Sequence, residues 1–170
     1  EFPEYNIVTA DDDIIYPHNW LSSLHTEHLL HPLDVSAYTT RQIRVESNSP
    51  NPLPYLDWTR IKEQTNHSHP HFMALGYTGV LYPPNTFNEE VYNIKNILTL
   101  CPKADDIWFK FMAILNQTDH RKIASPYGKE IYLPFSQSVG LKQSNVKSTG
   151  NEDQARKLIQ HYHLGDYFSL

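Results

Sequence analysis

The stretch NIVTADDDIIYP, residues 6–17, decides how the chain is interpreted, because an apolar run ends there in three consecutive acids. Residues 5–10 are rich in β-forming residues and predict a short buried strand. Adjacent carboxylates repel one another, and burying an unpaired one is expensive. Asp11, Asp12 and Asp13 therefore either form an exposed turn or lie beside something positively charged.

If this acid run stays extended, Asp11 and Asp13 lie on the same side of the backbone, since side chains alternate along a strand. The two carboxylates could then share one divalent cation, with Asp12 pointing away or binding a ligand hydroxyl. Mg²⁺ and Mn²⁺ prefer such oxygen ligands, usually together with phosphate oxygens and water. The alternative is a solvated turn whose acids favour the start of the following helix.

The composition is that of an ordinary folded domain. The chain has 170 residues, of which 39% are hydrophobic and 19% charged, so we expect one soluble domain over residues 1–170. The net charge of −5, without a basic run, argues against nucleic acid as a partner. Cys101 is the single cysteine, which rules out an internal disulfide and favours a reducing compartment. The sequence has no apolar segment of membrane-spanning length.

Strand-like and helix-like segments alternate along the chain, which predicts an α/β fold. Besides residues 5–10, strands are predicted at 35–46, at 121–125, at 129–135, and as two short pieces within 72–84 that Gly76 and Gly79 interrupt. Helices are predicted at 18–30, 88–100, 104–117 and 152–164. The first is expected to be amphipathic, because Trp20, Leu21, Leu24 and Leu29 are near helical spacing. Residues 47–54 and 138–151 are predicted loops, and 55–66 fit either a helix or an irregular segment.

The stretch CPKADDIWFKFM places Asp105 and Asp106 in the first turn of a predicted helix. Helix dipoles favour negative charge there, and this structural role is the commoner one. The functional alternative is a general base presented at the helix start, with Ile107, Trp108 and Phe111 packing the other face. Such a base must lie within hydrogen-bond reach of the proton it takes.

The stretch GYTGVLYPP, residues 76–84, combines glycines with tyrosines. Gly76 and Gly79 allow close approach of the backbone to a ligand, or form a bulge and turn. Tyr77 and Tyr82 could stack on a sugar ring, although tyrosines in strands more often belong to the core or its rim.

Histidines cluster at two places. On a strand, His67, His69 and His71 would share one face and could bind zinc, but a proline interrupts them and we expect solvated loop residues. His161 and His163 either complete a metal shell or end a helix whose dipole stabilises them. A metal-dependent hydrolase built on the acid run and these histidines is therefore one alternative function.

Three stretches together resemble the second half of a bacterial glycosyltransferase with the GT-A fold. They are VTADDDIIYP (8–17), GYTGVLYPP (76–84) and CPKADDIWFK (101–110), and their order and spacing cover most of the chain. The family is the type that builds capsule, lipopolysaccharide and exopolysaccharide. The resemblance implies a mixed sheet flanked by helices, with the site at the carboxyl end of the first strand.

The resemblance also assigns roles to residues. Asp11 and Asp13 become the metal ligands of a DxD element that holds Mn²⁺ or Mg²⁺ on the diphosphate of a nucleotide sugar. Asp106 aligns best with the catalytic base of inverting members, and Asp105 next. The donor and acceptor would contact Asp12, Gly76, Tyr77, Gly79 and Tyr82. The implied reaction moves a sugar from a nucleotide-sugar donor to a hydroxyl of a glycan or a lipid-linked acceptor. The expected donor is a UDP-sugar.

GT-A enzymes place most of their nucleotide-binding half before the DxD strand, whereas only ten residues precede Asp11 here. We therefore expect an incomplete GT-A-like domain that belongs to a longer protein or pairs with a second copy through an exposed sheet edge. The alternative to an enzyme is a carbohydrate- or nucleotide-binding module without turnover. The expected location is the cytoplasm, with peripheral contact at the inner face of the membrane left open.

Overall fold

The computed structural model describes residues 4–65, 67–126, 131–134 and 150–168 of the chain. As the alternating pattern predicts, it is a mixed α/β structure in which a mixed sheet is flanked by helices. Most of the predicted loop at 138–151 and the ends of the predicted strand at 129–135 lie outside the described residues.

The secondary structure consists of short strands and helices of moderate length. The strands are β1 (Ile7–Thr9), β2 (Ile14–Ile15), β3 (Val35–Ala37), β4 (Thr40–Gln42), β5 (Thr59–Ile61), β6 (Phe72–Ala74), β7 (Val80–Tyr82), β8 (His120–Lys122) and β9 (Ile131–Tyr132). The α-helices are α1 (Trp20–Leu30), α2 (Ile94–Leu100), α3 (Asp105–Leu115), α4 (Gly150–His161) and α5 (Gly165–Phe168). Short 3₁₀ helices cover Tyr55–Asp57, Gly76–Thr78 and Glu89–Tyr92.

The central sheet has the strand order β1-β7-β3-β8. Strand β7 is antiparallel to both of its neighbours, whereas β8 runs parallel to β3. A second, antiparallel sheet has the order β5-β4-β6, and β2 pairs with β9. Because β1 lies at the edge of the central sheet, the predicted burial of the first strand is wrong: Ile7 is 50% exposed, and no residue of 5–10 is fully buried.

Helices cover the central sheet on both faces. Since side chains alternate along a strand, Leu81 of β7 packs with Leu24 of α1, whereas Tyr82 points to the other face and packs with Phe109 of α3. Helix α3 is the centre of the largest core cluster, which it shares with α4. Its predicted packing face is confirmed, because Ile107, Trp108 and Phe111 are all at most 3% exposed.

Helix α1 forms where it is predicted, but not all of the apolar residues at helical spacing are buried. Leu24 is fully buried, whereas Leu21 and Leu29 are 53% and 66% exposed. The helix is buried at Leu24 and His28, which are one turn apart and lie on one narrow stripe. Predicted amphipathicity is therefore only partly confirmed.

A bulge interrupts the antiparallel ladder that β3 and β4 form with β6 and β7. Between the pairs Ala37↔Val80 and Thr40↔Ala74, one side of the ladder has two residues and the other has five. The three extra residues fold into the 3₁₀ helix Gly76–Thr78, and backbone hydrogen bonds close the ladder on either side of it. This bulge accounts for the predicted interruption at the two glycines.

The same bulge corrects the predicted strand at 35–46. Tyr38 and Thr39 lie opposite the extra residues, so the chain leaves the central sheet after β3 and enters the second sheet as β4. Residues 55–66, which the sequence left undecided, contain a 3₁₀ helix followed by β5. The predicted helix at 88–100 divides into the 3₁₀ helix Glu89–Tyr92 and α2, and the last predicted helix begins two residues early, at Gly150.

Position 79 of the bulge requires glycine. Its φ is +109°, and a Cβ built there would clash with Nε1 of Trp20. We expect Gly79→Ala to lower the free energy of unfolding by about 2–4 kcal/mol, since it combines backbone strain with a clash against a ring. Urea denaturation measures this change.

Gly165→Ala is the matched control. A Cβ at Gly165 would meet Pro50 at 3.6 Å, an ordinary van der Waals contact, so the free energy of unfolding should change by less than about 1 kcal/mol. Equal destabilisation by the two substitutions would contradict the assigned role of Gly79.

Candidate functional site

The acid run lies in the turn between β1 and β2. Asp11 and Asp12 are exposed and Asp13 is half-buried. The predicted extended arrangement at Asp12 and Asp13 is wrong, because the chain turns there on its way from one sheet into another. The carboxylates nevertheless interact. Partial removal of its carboxyl group from water raises the pKa of Asp11, and the charges of Asp13, Asp105 and Asp12 raise it further.

Tyr16 ties this turn to the bulge. The backbone N–H of Asp11 donates to the Tyr16 hydroxyl at 2.7 Å, and that hydroxyl donates to the carbonyl of Tyr77 at 3.1 Å. The Tyr16 ring also packs against Trp20, with centroids 4.5 Å apart. Sequence analysis did not single out Tyr16, since a hydroxyl that bridges two loops leaves no periodic signal.

Asp106 touches the bulge from the other side. It lies in the first turn of α3, and its Oδ1 accepts the backbone N–H of Gly76 at 2.9 Å. A Cβ on Gly76 would come within 3.1 Å of that oxygen, so the glycine permits the approach. The pKa of Asp106 is raised to about 7, mainly by burial and next by the charge of Asp105, although the Gly76 N–H lowers it.

The structure therefore brings together three stretches that are remote in sequence. Asp106 and Asp11 interact electrostatically, as do Asp11 and Asp105, and Gly76–Thr78 lies between them through the bonds to Asp106 and Tyr16. Negative charge is concentrated at this point, and a bound cation would neutralise it.

The predicted donor- and acceptor-binding residues in the bulge and in β7 have different surroundings. Tyr82 is 4% exposed and packs between Phe87 and Phe109, which fits the core alternative and leaves no face free for a sugar. Gly79 lies under the indole of Trp20, whose Nε1–H donates to the Thr78 carbonyl at 2.8 Å. The glycines thus serve internal packing. Tyr77 is half-buried, and its hydroxyl accepts a hydrogen bond from Nη2 of Arg60 at 3.2 Å.

A small cavity of about 100 Å³ opens beside the two acids of α3. Its lining includes Tyr55, Asp105, Asp106 and Asn151. Asn151 is 8% exposed, and its Oδ1 has no hydrogen-bond partner among the described residues. Buried amide oxygens normally accept a hydrogen bond, so this cavity suits a ligand that carries hydroxyl groups. Neither Tyr55 nor Asn151 was a sequence candidate, because both fall outside the recognised motifs.

The donor set for a metal is the acid run. Asp11 and Asp13 are the carboxylates that could hold Mn²⁺ or Mg²⁺, with Asp12 beside them. Within the described part of the chain, no group of three or more His, Cys, Asp or Glu side chains converges as a metal site. Two carboxylates still suit Mg²⁺ and Mn²⁺, because these ions commonly take their other ligands from phosphate and water.

The histidines at 67–71 are packed more tightly than predicted. His69 stacks on Phe72, His71 stacks on Phe168, and the backbone N–H of His71 donates to Nδ1 of His69. Burial lowers the pKa of His69 and of His71. The prediction of solvated loop residues is therefore wrong for these two and fits only His67, which is exposed.

At the other histidine cluster, both side chains are exposed. His161 is the last residue of α4, and its Nε2 lies 3.4 Å from Nδ2 of Asn96. His163 follows in a left-handed turn with φ +54°. These positions agree with the helix-end alternative.

Comparison of the sequence and the structure with protein-family models, curated proteins and solved structures finds no significant match. The likeness to glycosyltransferases therefore depends on the sequence motifs and on the chemistry of the site. None of the helices in the described ranges has both the length and the apolar character needed to cross a bilayer.

The raised pKa of Asp106 predicts a pH-dependent stability. The unfolded chain loses this proton near the ordinary value of 3.8, whereas the folded chain keeps it up to about 7. Between these values the folded state binds more protons, so its stability falls as the pH rises. Asp106→Asn should remove this loss and exceed the wild type by about 1–3 kcal/mol at pH 8, and by less at pH 5.

Urea denaturation at both pH values measures the difference. Asp166→Asn changes an exposed aspartate in the first turn of α5 and serves as the control, which should keep the wild-type pH dependence. A pH dependence that Asp106→Asn leaves unchanged would show that Asp106 titrates normally.

Proposed function

We propose that the chain is a GT-A-type glycosyltransferase domain that uses a divalent cation and inverts the configuration of the transferred sugar. The donor is a nucleotide-diphosphate sugar, with UDP as the nucleotide, and the acceptor is a hydroxyl of a glycan or a lipid-linked saccharide. The observation that carries this proposal is the approach of Asp106 to the bulge that also holds the acid run.

The acid run is the donor end of the site. Asp11 and Asp13 would hold Mn²⁺ or Mg²⁺, and Asp12 is available to a donor hydroxyl. When bound, the cation neutralises negative charge that develops on the departing diphosphate. Burial and then repulsion from the neighbouring carboxylates raise the pKa of Asp11, and a bound cation would relieve that repulsion.

Asp106 is the proposed base. A base acts best when its pKa lies near the working pH, and the value of about 7 meets this condition. The Gly76 N–H bound to Oδ1 fixes the carboxylate, which leaves Oδ2 to accept the proton of an acceptor hydroxyl. Asp105 is exposed at the same helix start and is the second candidate.

In the proposed reaction, proton transfer to the base accompanies bond formation and bond cleavage at the anomeric carbon. As Asp106 takes the proton, the acceptor oxygen forms a bond to the anomeric carbon, on the face opposite to the diphosphate. The bond between that carbon and the phosphate oxygen breaks, and the nucleoside diphosphate leaves with the electron pair. The cavity lined by Tyr55 and Asn151 adjoins Asp106 and is the natural place for the acceptor.

Donor binding should depend on both the metal and Asp13. We expect the intact chain to bind UDP in calorimetric titrations with Mn²⁺ and to lose this binding in EDTA. Asp13→Ala should weaken the affinity by about tenfold or more, because it removes a metal ligand. Asp166→Ala, which removes an exposed aspartate elsewhere, should leave the affinity unchanged.

If the intact chain shows no metal-dependent binding of UDP or of other nucleoside diphosphates, the transferase proposal fails for this chain. The alternative, a binding module without turnover, then takes its place.

Transfer should depend on Asp106 separately from donor binding. Release of UDP from UDP-sugars should fall by about 10²–10⁴-fold in Asp106→Asn, since a general base contributes that much. The affinity for UDP with Mn²⁺ should stay near the wild-type value. In the wild type, kcat/KM should rise with pH through about 7 as the base loses its proton. Unchanged turnover in Asp106→Asn would exclude it as the base.

A further inference from the structure

A second, larger cavity is lined by cationic side chains. Its volume is about 240 Å³, and its lining includes Arg60, Lys62 and Lys122 together with Thr39 and Ser125. The whole chain carries a net charge of −5, so this local excess of positive charge runs against the overall balance. Strand β5 and the residue after it supply the first two cations, and β8 supplies the third.

Lys122 is the most informative of the three cations. It is 4% exposed, and within the described residues its ammonium donates to one acceptor, the carbonyl of Ile123. An ammonium has three donors, and a buried cation is costly unless it is paired. Burial lowers the pKa of Lys122, the charge of exposed Glu63 opposes this, and the charge of Arg60 adds to it. The cavity thus contains a buried cation that the neighbouring groups compensate only partly.

We propose that this cavity binds a phosphoryl group. Its guanidinium and ammonium donors, with the hydroxyls of Thr39 and Ser125, form the donor set that phosphate oxygens accept. The volume greatly exceeds the roughly 30 Å³ share of a single water. A bound dianion would offset the repulsion between Arg60 and Lys122 and supply acceptors for the buried ammonium.

The cavity borders the same bulge as the acids. Arg60 donates to the hydroxyl of Tyr77 at 3.2 Å, and Thr39 accepts a hydrogen bond from the hydroxyl of Thr78 at 2.9 Å. Tyr77 thus contacts the cavity residue Arg60 through its hydroxyl and Tyr16, which binds the backbone of Asp11, through its carbonyl. The source of the phosphoryl group is either the diphosphate of a nucleotide or a phosphate on a second ligand, such as a lipid-linked acceptor. The inference does not rest on the proposed transfer reaction.

The test uses inorganic phosphate and the full chain, without metal. Titration in EDTA, followed by ³¹P NMR, should show saturable binding by the wild type. The double variant Arg60→Ala/Lys62→Ala changes two exposed residues and should bind about tenfold or more weakly, because it removes charged donors. Lys95→Ala removes one exposed cation of α2 and should bind as the wild type does.

Lys122→Met tests the buried cation separately, after circular dichroism has verified folding, and should also weaken binding. The inference is overturned if the wild type does not bind phosphate, or if the double variant binds as tightly as the wild type. Because no metal is present, failure here leaves the proposed role of the acid run untouched.

Competition identifies the source of the phosphoryl group. If UDP with Mn²⁺ displaces phosphate and the double variant loses affinity for UDP, the cavity holds the nucleotide diphosphate. If phosphate still binds when UDP and Mn²⁺ are saturating, the cavity serves a second phosphorylated ligand. Both results support a phosphoryl site.

Discussion

The bulge at residues 75–79 is the constraint on which the rest of the site depends. Three extra residues interrupt a ladder that would otherwise run from one sheet into the next. Gly79 adopts a positive φ under the Trp20 indole, and Gly76 presents its N–H to Asp106. A side chain at position 79 would clash with the indole of Trp20 in α1, and one at position 76 would crowd the Asp106 carboxylate of α3. The acid run is then fixed to the same bulge through Tyr16.

Charge is separated around this bulge. On one side, burial and then the charges of neighbouring carboxylates raise the pKa of Asp11 and of Asp106. Cations from β5 and β8 line a cavity that adjoins Tyr77 and Thr78. A metal ion suits the first group and a phosphoryl group the second.

Sequence patterns predicted the structural features that depend on residues close together in the sequence. Helix α3 and its packing face follow from the spacing of Ile107, Trp108 and Phe111, and the break in the strand follows from the two glycines. Contacts set by sheet register were not predictable. Tyr16 and Tyr77 are 61 positions apart, and Gly76 and Asp106 are 30 apart. The contact of Tyr82 with Phe109, the stacking of His71 on Phe168 and the surroundings of the Asn151 Oδ1 depend on such distant pairings, which no local spacing encodes.

We propose that the acid run, the bulge and the start of α3 surround one metal ion, which Asp11 and Asp13 hold. Substoichiometric Mn²⁺ added to ¹⁵N-labelled protein tests it most directly, because the paramagnetic ion broadens nearby amide signals. Our account predicts that the signals of residues 11–13, 76–78 and 105–106 broaden together before any others. Broadening centred on residues 67–71, or spread evenly over the chain, would contradict it.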